Sequence, residues 1–366
     1  VQNFQSLGAE LAAIEPPVWA GMIATFSRKL GFTVQLIDAD AEDIPPELVA
    51  TQVKEIDPLL AVVVVYGNQP SASTQNIPAA GAVCTAIKQI TDEVKVILIG
   101  GHVASLPERT LREEDVDYVS SGEGLYTISD LVQMLRAGHI EEQSKVRGLW
   151  YKDGNNIITN TPPPLVMDLD NEMPGVAWDL LPMKKYRAHN WHCFDTLNRE
   201  PYASLYTTLG CPYNCSFCCI QAPFKEGEKV VGFTENVNSY RRWSPESVMS
   251  QLDTLVNDYG VRNVKITDEL FVLNRHHVDE ICDHIIEREY DLNIWAYARI
   301  DTIKNGNLEK LKKAGFNWLA FGIEAGTEEV RQDINKSFGQ SLVFETVDLV
   351  RNAGIYIIAN FIFGLP

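Results

Sequence analysis

Cys211, Cys215 and Cys218 form a C-x3-C-x2-C array within residues 205–224, LYTTLGCPYNCSFCCIQAPF, directly after a short β-favouring run at 204–208. Three thiolates on one loop are a ready-made metal site, because the thiolate is the ligand and the short spacing lets one loop present all three. With 7 cysteines in 366 residues, a triple of this spacing arises by chance only about 0.003 times. Structural zinc wants four closed ligands, and iron–sulfur clusters ordinarily take four cysteines. Three cysteines leave one metal position open for a substrate or cofactor. Cys219 follows Cys218 directly and would have to fold back to close a tetrahedron, so it reads as a neighbouring core or pocket thiol.

The array needs a scaffold, and the chain beyond it alternates regularly. Helical spacing at 245–259, 275–289, 307–314, 327–335 and 342–353 separates apolar strand-like runs at 263–267, 293–298, 318–322 and 355–363. Counting the strand before the cysteines, five strands are joined by helical crossovers without hairpins. That pattern predicts a parallel barrel or partial barrel with its functional groups at the strand C-termini. Those ends present Asp268 and Glu269, Arg299 and Asp301, Glu324, and Asn360. The run IIANFIFG at 357–364 reads as a core strand.

The first half repeats the same logic. Helices are expected at 17–30, 46–55 and 79–90, and strands at 32–37, 59–66, 94–99 and 117–120. Strands such as AVVVVY are apolar on both faces, which argues a parallel sheet covered by helices on each side, a doubly wound α/β domain over residues 1–140. Ligands of such domains sit beyond the carboxyl ends of the strands. Three of those ends are unusual here: 67–76 (GNQPSASTQN), 100–105 (GGHVAS) and 121–124 (SGEG). Small and amide residues let the backbone approach a large flat or phosphate-bearing ligand. Each segment alone is equally readable as an ordinary turn, and His102 as a capping or core histidine. No G-x-G-x-x-G follows a strand, so a nicotinamide site has little support.

Between the halves, residues 141–200 read as a hairpin (GLWYKDGNNIITN, with Asp153-Gly154 as the turn signal) and a Pro-rich connector. His189, Trp191, His192 and Cys193 follow, readable as a zinc site but more often the composition of a packed interdomain strap. The net charge of -18 repels phosphate backbones and argues against a nucleic-acid substrate. Seven cysteines without a regular disulfide framework fit a reducing cytoplasm. No apolar run reaches membrane-spanning length and no signal segment is present, so the expectation is a cytoplasmic protein without a membrane span. The chain starts at Val1 without methionine and stops just after an apolar strand, and it therefore reads as a fragment trimmed at both ends.

The cysteine array, with Phe217 before its last member, closely resembles the radical SAM superfamily over residues 200–366. The segments AIEPPVWAGMIA, VVVYGNQPSAST, ILIGGHVASLPERTL and DYVSSGEG resemble the cobalamin-binding domain at the N-terminus of one class of those enzymes, over residues 9–135 without a first strand. The fold implied is a Rossmann-like sheet followed by a TIM-like partial (βα) radical SAM barrel truncated after its fifth strand, with domains at 1–140 and 201–366. The resemblance implies that Cys211, Cys215 and Cys218 hold a 4Fe-4S cluster whose fourth iron chelates S-adenosylmethionine. It further implies that Phe217, Asp268, Glu269, Arg299, Glu324 and Asn360 approach that cofactor. Asp268 and Glu269 would take the amino group, although the usual Gly-Gly-Glu is absent, and Arg299 and Glu324 the carboxylate and ribose. Tyr66, Gly67, Asn68, Ser71, Ser73, Thr74, Gly100, Gly101, His102, Gly122 and Glu123 would line the cobalamin site. None of the seven histidines sits in a D-x-H-x-x-G motif, so no histidine is expected under the cobalt.

The activity implied is cobalamin-dependent methylation of an unactivated carbon of a small-molecule, sugar or lipid substrate, with an electron donor such as flavodoxin or ferredoxin. A cyclase or rearrangement enzyme that uses cobalamin without methyl transfer is the alternative. A methylthiotransferase is opposed by the lack of further N-terminal cluster cysteines, since only Cys84 precedes residue 190. A structural zinc module or cobalamin carrier completes the set.

Overall fold

The computed structural model describes residues 11–67, 70–193, 198–305 and 307–365, without the side chains of residues 70, 71, 304 and 305. The chain divides into two compact units whose segments alternate along the sequence. Of the described residues, those within 17–182 and 219–239 fold in the first, and those within 11–16, 183–218 and 240–365 in the second.

In the first unit, β1 (Leu60–Val64), β2 (Lys95–Ile99) and β3 (Tyr118–Ser120) are parallel neighbours. A hairpin of β4 (Leu149–Asp153) and β5 (Asn156–Thr159) continues the same sheet antiparallel from β3. The hairpin thus belongs to this sheet, and its tight turn falls at Gly154 in the left-handed region. Alternation along the strands sorts the core into two faces. Val96, Leu98 and Val119 pack with Val49, Val53, Cys84 and Ile87 of the helices Pro46–Ile56 and Pro70–Ile90. Ile97 and Tyr118 face the other way, onto Leu131 and Met134 of the helix Leu125–Ala137. Helices on both faces of a mainly parallel sheet confirm the doubly wound reading.

Two expectations are corrected here. Residues 32–37 form no strand and join no ladder among the described residues, although Ile37 still packs on the core. The helix expected from residue 79 begins at Pro70, so Ser73 and Thr74 lie in its first turns rather than on a long loop. Polar composition and the internal Pro78 hid the start, since a proline inside a helix removes one hydrogen bond without ending it when the flanks hold.

In the second unit, β6 (Tyr202–Leu205) opens a five-stranded sheet and leads to β7 (Thr208–Leu209), which pairs antiparallel with β8 (Arg241–Arg242). The sheet continues with β9 (Asn263–Ile266), β10 (Asn293–Ala298), β11 (Phe316–Glu324) and β12 (Tyr356–Phe361). All its strands are parallel, in the order β12-β11-β10-β9-β6. Helices Pro245–Asn257, Arg275–Glu287, Leu308–Lys313 and Gln340–Asn352 form the crossovers, as the periodicity predicts. Within the described residues β12 lies at one edge of the sheet, and Tyr356 and Phe361 are each about half exposed, where the sequence reading expected a core strand.

One face of this sheet is covered by chain from outside the repeat. Trp191 packs edge-on against both Trp295 and Trp318, at 5.3 Å between ring centres in each case. Lys265, in mid-strand, is buried over the Trp295 ring and paired with Glu15 at 3.1 Å, while the Tyr202 hydroxyl donates to the same carboxylate at 2.8 Å. The suspected zinc ligands are spent structurally. His189 Nδ1 accepts from the Ala13 N–H, His192 Nε2 donates to the Asn293 carbonyl at 3.0 Å, and the Cys193 thiol donates to Asn263. All three side chains thus pack within the second unit.

Burial lowers His192 from its ordinary 6.5 to about 3, and His277 to about 4. The folded chain keeps both neutral, whereas the unfolded chain protonates them below pH 6.5. The stability they contribute is therefore complete above that pH and is lost as pH falls towards the folded values. Between pH 7 and 5 His192 alone should cost about 2 kcal/mol. Urea titrations at the two pH values should show a smaller acid loss for His192→Gln, and equal losses would contradict the linkage.

Candidate active site

The cysteine excursion of the second unit is pinned at its base. The β7–β8 pair closes it, and Gly210, at φ 87°, turns the chain out of β7 straight into Cys211. Asp268, fully buried just beyond β9, accepts from the Thr207 N–H (2.6 Å), the Thr208 N–H (3.1 Å) and the Thr207 hydroxyl (2.5 Å). Burial lifts its carboxyl to about 6 against the pull of those bonds. The loop is also tied on its far side, where the Ser216 N–H donates to the Ile334 carbonyl at 3.1 Å.

Glu269 plays a different part. Burial pushes its carboxyl up to about 8, and Oε2 is buried without a hydrogen-bond partner. A buried acceptor left unmade is costly, so an ammonium donor from a ligand is what this position suits. Asp268 and Glu269, grouped in the sequence reading, thus differ: Asp268 is satisfied by the base of the loop, whereas Glu269, although it accepts from the Gly210 backbone, keeps one oxygen without a hydrogen-bond partner.

Cys211 and Cys215 are half-buried and Cys218 is exposed. Burial holds the Cys211 thiol up at about 11, so metal loading must release a proton there. Among the described residues, no three His, Cys, Asp or Glu side chains gather around one point, as a single ion requires. A cluster does not need that gathering, because each thiolate binds its own iron. The donor set and the unmatched Glu269 oxygen therefore fit an open-sided iron–sulfur cluster with an amine-bearing ligand beside it.

Arg299 follows β10. Its Nε donates to Asp301 at 2.8 Å, its Nη1 lies 3.3 Å from the Cys215 sulfur, and its guanidinium sits 3.9 Å over the Tyr213 ring. Glu324 closes β11 in the left-handed region (φ 66°), a strained conformation of the kind that clusters at ligand sites. Its carboxylate is paired with buried Lys336 at 2.7 Å, a counter-charge that sequence reading missed. Asn360 is exposed and donates to the Phe321 carbonyl, and Phe217 is partly exposed on the loop.

In the first unit the three unusual strand ends converge. The Tyr66 hydroxyl donates to the Gly122 carbonyl at 3.2 Å, and the His102 N–H donates to the Ser73 hydroxyl at 2.9 Å. His102 Nδ1 lies 3.1 Å from the Thr74 hydroxyl. Ser73 is fully buried and also donates to the Val65 carbonyl, so it ties the loops together. Glu123 likewise accepts from the Val166 N–H at 2.9 Å, fixing the Pro-rich connector. Gly67, Gly100 and Gly101 keep the strand ends free of side chains, and a Cβ at Gly100 would meet the Val65 carbonyl at 2.4 Å. Asn68 lies outside the described residues, as does the side chain of Ser71. Missed by the sequence reading were Trp19, stacked on Tyr66 at 4.1 Å, and a small cleft where Pro223 and Gly227 meet Gly122, Pro164 and Val166. Glycines and hydroxyls gathered on one sheet edge beside a stacked aromatic pair fit a large planar ligand carrying amide groups.

Gly124, at φ 90°, allows this turn, and a Cβ there would sit 2.6 Å from Ile99 Cγ2. Gly124→Ala should cost about 2–4 kcal/mol in chemical denaturation. An unchanged midpoint would mean the loop can shift freely.

The radical SAM superfamily model matches residues 205–366, and the B12 binding domain model matches residues 5–132. The chain joins a B12 binding domain to a radical SAM domain. Such a radical SAM domain goes with a 4Fe-4S cluster and S-adenosylmethionine, and the other domain with cobalamin. An uncharacterized methyltransferase of Pyrococcus horikoshii is 29% identical over 352 residues, covering 96% of this chain and 70% of the relative. The anaerobic magnesium-protoporphyrin IX monomethyl ester cyclase of Cereibacter sphaeroides is 26% identical over 370 residues, covering 99% of this chain but 56% of the relative. The fold matches the radical S-adenosylmethionine methyltransferase TsrM from Kitasatospora setae, solved with cobalamin and a 4Fe-4S cluster bound. The TM-score is 0.71 at 18% identity, over 96% of this chain and 67% of that one. No helix is long and apolar enough to cross a membrane among the described residues.

Proposed function

We propose that this chain is the two-cofactor part of a cobalamin-dependent radical S-adenosylmethionine methyltransferase acting on an unactivated carbon of a small-molecule, sugar or lipid substrate. The observation that carries the proposal is the pairing, in one chain, of the three-cysteine loop and unmatched Glu269 oxygen with a B12 binding domain. The similarity to a methyltransferase over nearly the whole chain supports it.

Cys211, Cys215 and Cys218 would hold the cluster, and Asp268 fixes the base of their loop. Glu269 would accept from the ammonium of S-adenosylmethionine, while the Lys336-paired Glu324 takes the ribose side. Tyr66, Thr74, Gly101, His102 and Gly122 would seat the corrinoid. When bound, the cluster supplies the low-potential electron that cleaves S-adenosylmethionine, and the corrinoid supplies a transferable methyl group. A flavodoxin or ferredoxin would deliver the electron.

The test is anaerobic incubation of the loaded protein with a metabolite extract, a strong reductant and S-adenosylmethionine carrying a deuterium-labelled methyl group. Labelled product together with both S-adenosylhomocysteine and 5′-deoxyadenosine is expected. The similarity to the Cereibacter cyclase favours a second reading, a cyclisation without methyl transfer. In that case 5′-deoxyadenosine would form without labelled product, and the methyltransferase reading would fall.

A further inference from the structure

Arg299 has more partners than a cofactor clamp needs. A guanidinium grips a carboxylate bidentately through one of two edges, Nε with Nη2 or Nη1 with Nη2. Here each edge has already committed one donor, Nε to Asp301 at 2.8 Å and Nη1 to the Cys215 sulfur at 3.3 Å. The planar face is committed too, lying 3.9 Å over Tyr213, which stands between Cys211 and Cys215 in the chain. Phe338 lies 5.8 Å from the same guanidinium, and its own ring is held by buried Arg331, 5.1 Å away. Arg331 is fixed in turn by the Ala325 carbonyl at 2.7 Å and Gln340 at 2.8 Å. Arg299 itself is 7% exposed. Its orientation is thus set from several sides, and what it is aimed at is a ligand sulfur.

We propose that Arg299 is a positioning residue for the cluster, a fixed hydrogen-bond donor to the Cys215 thiolate that raises the cluster's reduction potential, and not a clamp for the carboxylate of S-adenosylmethionine. The inference rests on the radical SAM reading of the cysteine loop. A hydrogen bond to a ligating sulfur withdraws electron density from it and favours the reduced cluster. Asp301 keeps the guanidinium in plane, and the Tyr213 face keeps it over the loop, so the donor does not swing away when the thiolate binds iron.

The test compares anaerobically reconstituted wild type with Arg299→Gln and Arg299→Lys. Iron content, the midpoint potential from an EPR-monitored titration with dithionite, and S-adenosylmethionine affinity by equilibrium dialysis are read for each. Arg299→Gln should keep its iron, show a more negative midpoint, and bind S-adenosylmethionine as wild type does. Arg299→Lys retains the charge but can serve only one of Asp301 and Cys215, so its midpoint should lie between the other two. It also carries the test alone if the glutamine variant does not fold. An unchanged midpoint with weakened S-adenosylmethionine binding would overturn the inference and return Arg299 to the carboxylate. Wild type that takes up no four-iron cluster would instead overturn the functional reading beneath it.

Discussion

Cys215→Ala is expected to abolish S-adenosylmethionine cleavage and leave corrinoid binding unchanged. Cys215 is the central member of the array and the one whose sulfur Arg299 contacts. With alanine there, two thiolates remain for a cluster that needs three protein ligands to leave one iron open. Iron after reconstitution should fall well below about four per chain, and 5′-deoxyadenosine formation should drop to the assay background. The loops assigned to the corrinoid are held by Tyr66–Gly122, Ser73–His102 and Glu123–Val166 contacts, none of which involves residues 210–218. The cobalamin absorbance retained after gel filtration should therefore match wild type. Loss of both properties would show that the substitution disrupts folding and not cluster chemistry.

Glu269→Gln should weaken S-adenosylmethionine binding about 10- to 100-fold, the worth of one hydrogen bond to a charged group, while cluster iron stays at the wild-type level. The argument rests on a contrast between neighbours. Asp268 satisfies its oxygens on the backbone and hydroxyl of Thr207 and on the Thr208 N–H, whereas Glu269 Oε2 is buried without a hydrogen-bond partner, with only the Gly210 backbone and the charge of Arg241 acting on the carboxyl. Glutamine keeps the shape but turns a potential anion into a neutral amide facing the ligand's ammonium. Equilibrium dialysis on the reconstituted protein reads this directly. Unaltered affinity would mean that the orphan oxygen serves some other group.

The strands and crossovers of both units were legible because their apolar runs are long and bounded by glycine or charge, as at residues 59–66, 94–99 and 293–298. The segment at 32–37 has the same composition, yet composition cannot say whether a partner strand lies within reach. The helix from Pro70 was hidden by its own polar first turns, where Ser73 and Thr74 serve the loops as well as the helix. At the site, the cysteine spacing was readable because metal ligation forces a local pattern. Lys336 opposite Glu324, Arg331 beneath Phe338 and Trp19 on Tyr66 were not readable, because each pairing is made by tertiary packing. One signal was available and unused: a lysine inside NVKI, otherwise a strand core, requires a buried counter-charge, and Glu15 provides it.

The alternation of segments between the two units bears on how such an enzyme can be rearranged in evolution. A recombination event that exchanged residues 17–182 as one cassette would leave residues 219–239 behind with a foreign sheet. One that transplanted residues 201–366 alone would separate Lys265 from Glu15, leaving a buried ammonium with no carboxylate at a cost of about 3–5 kcal/mol. Hybrids made with a single crossover at either point are therefore expected to lose stability.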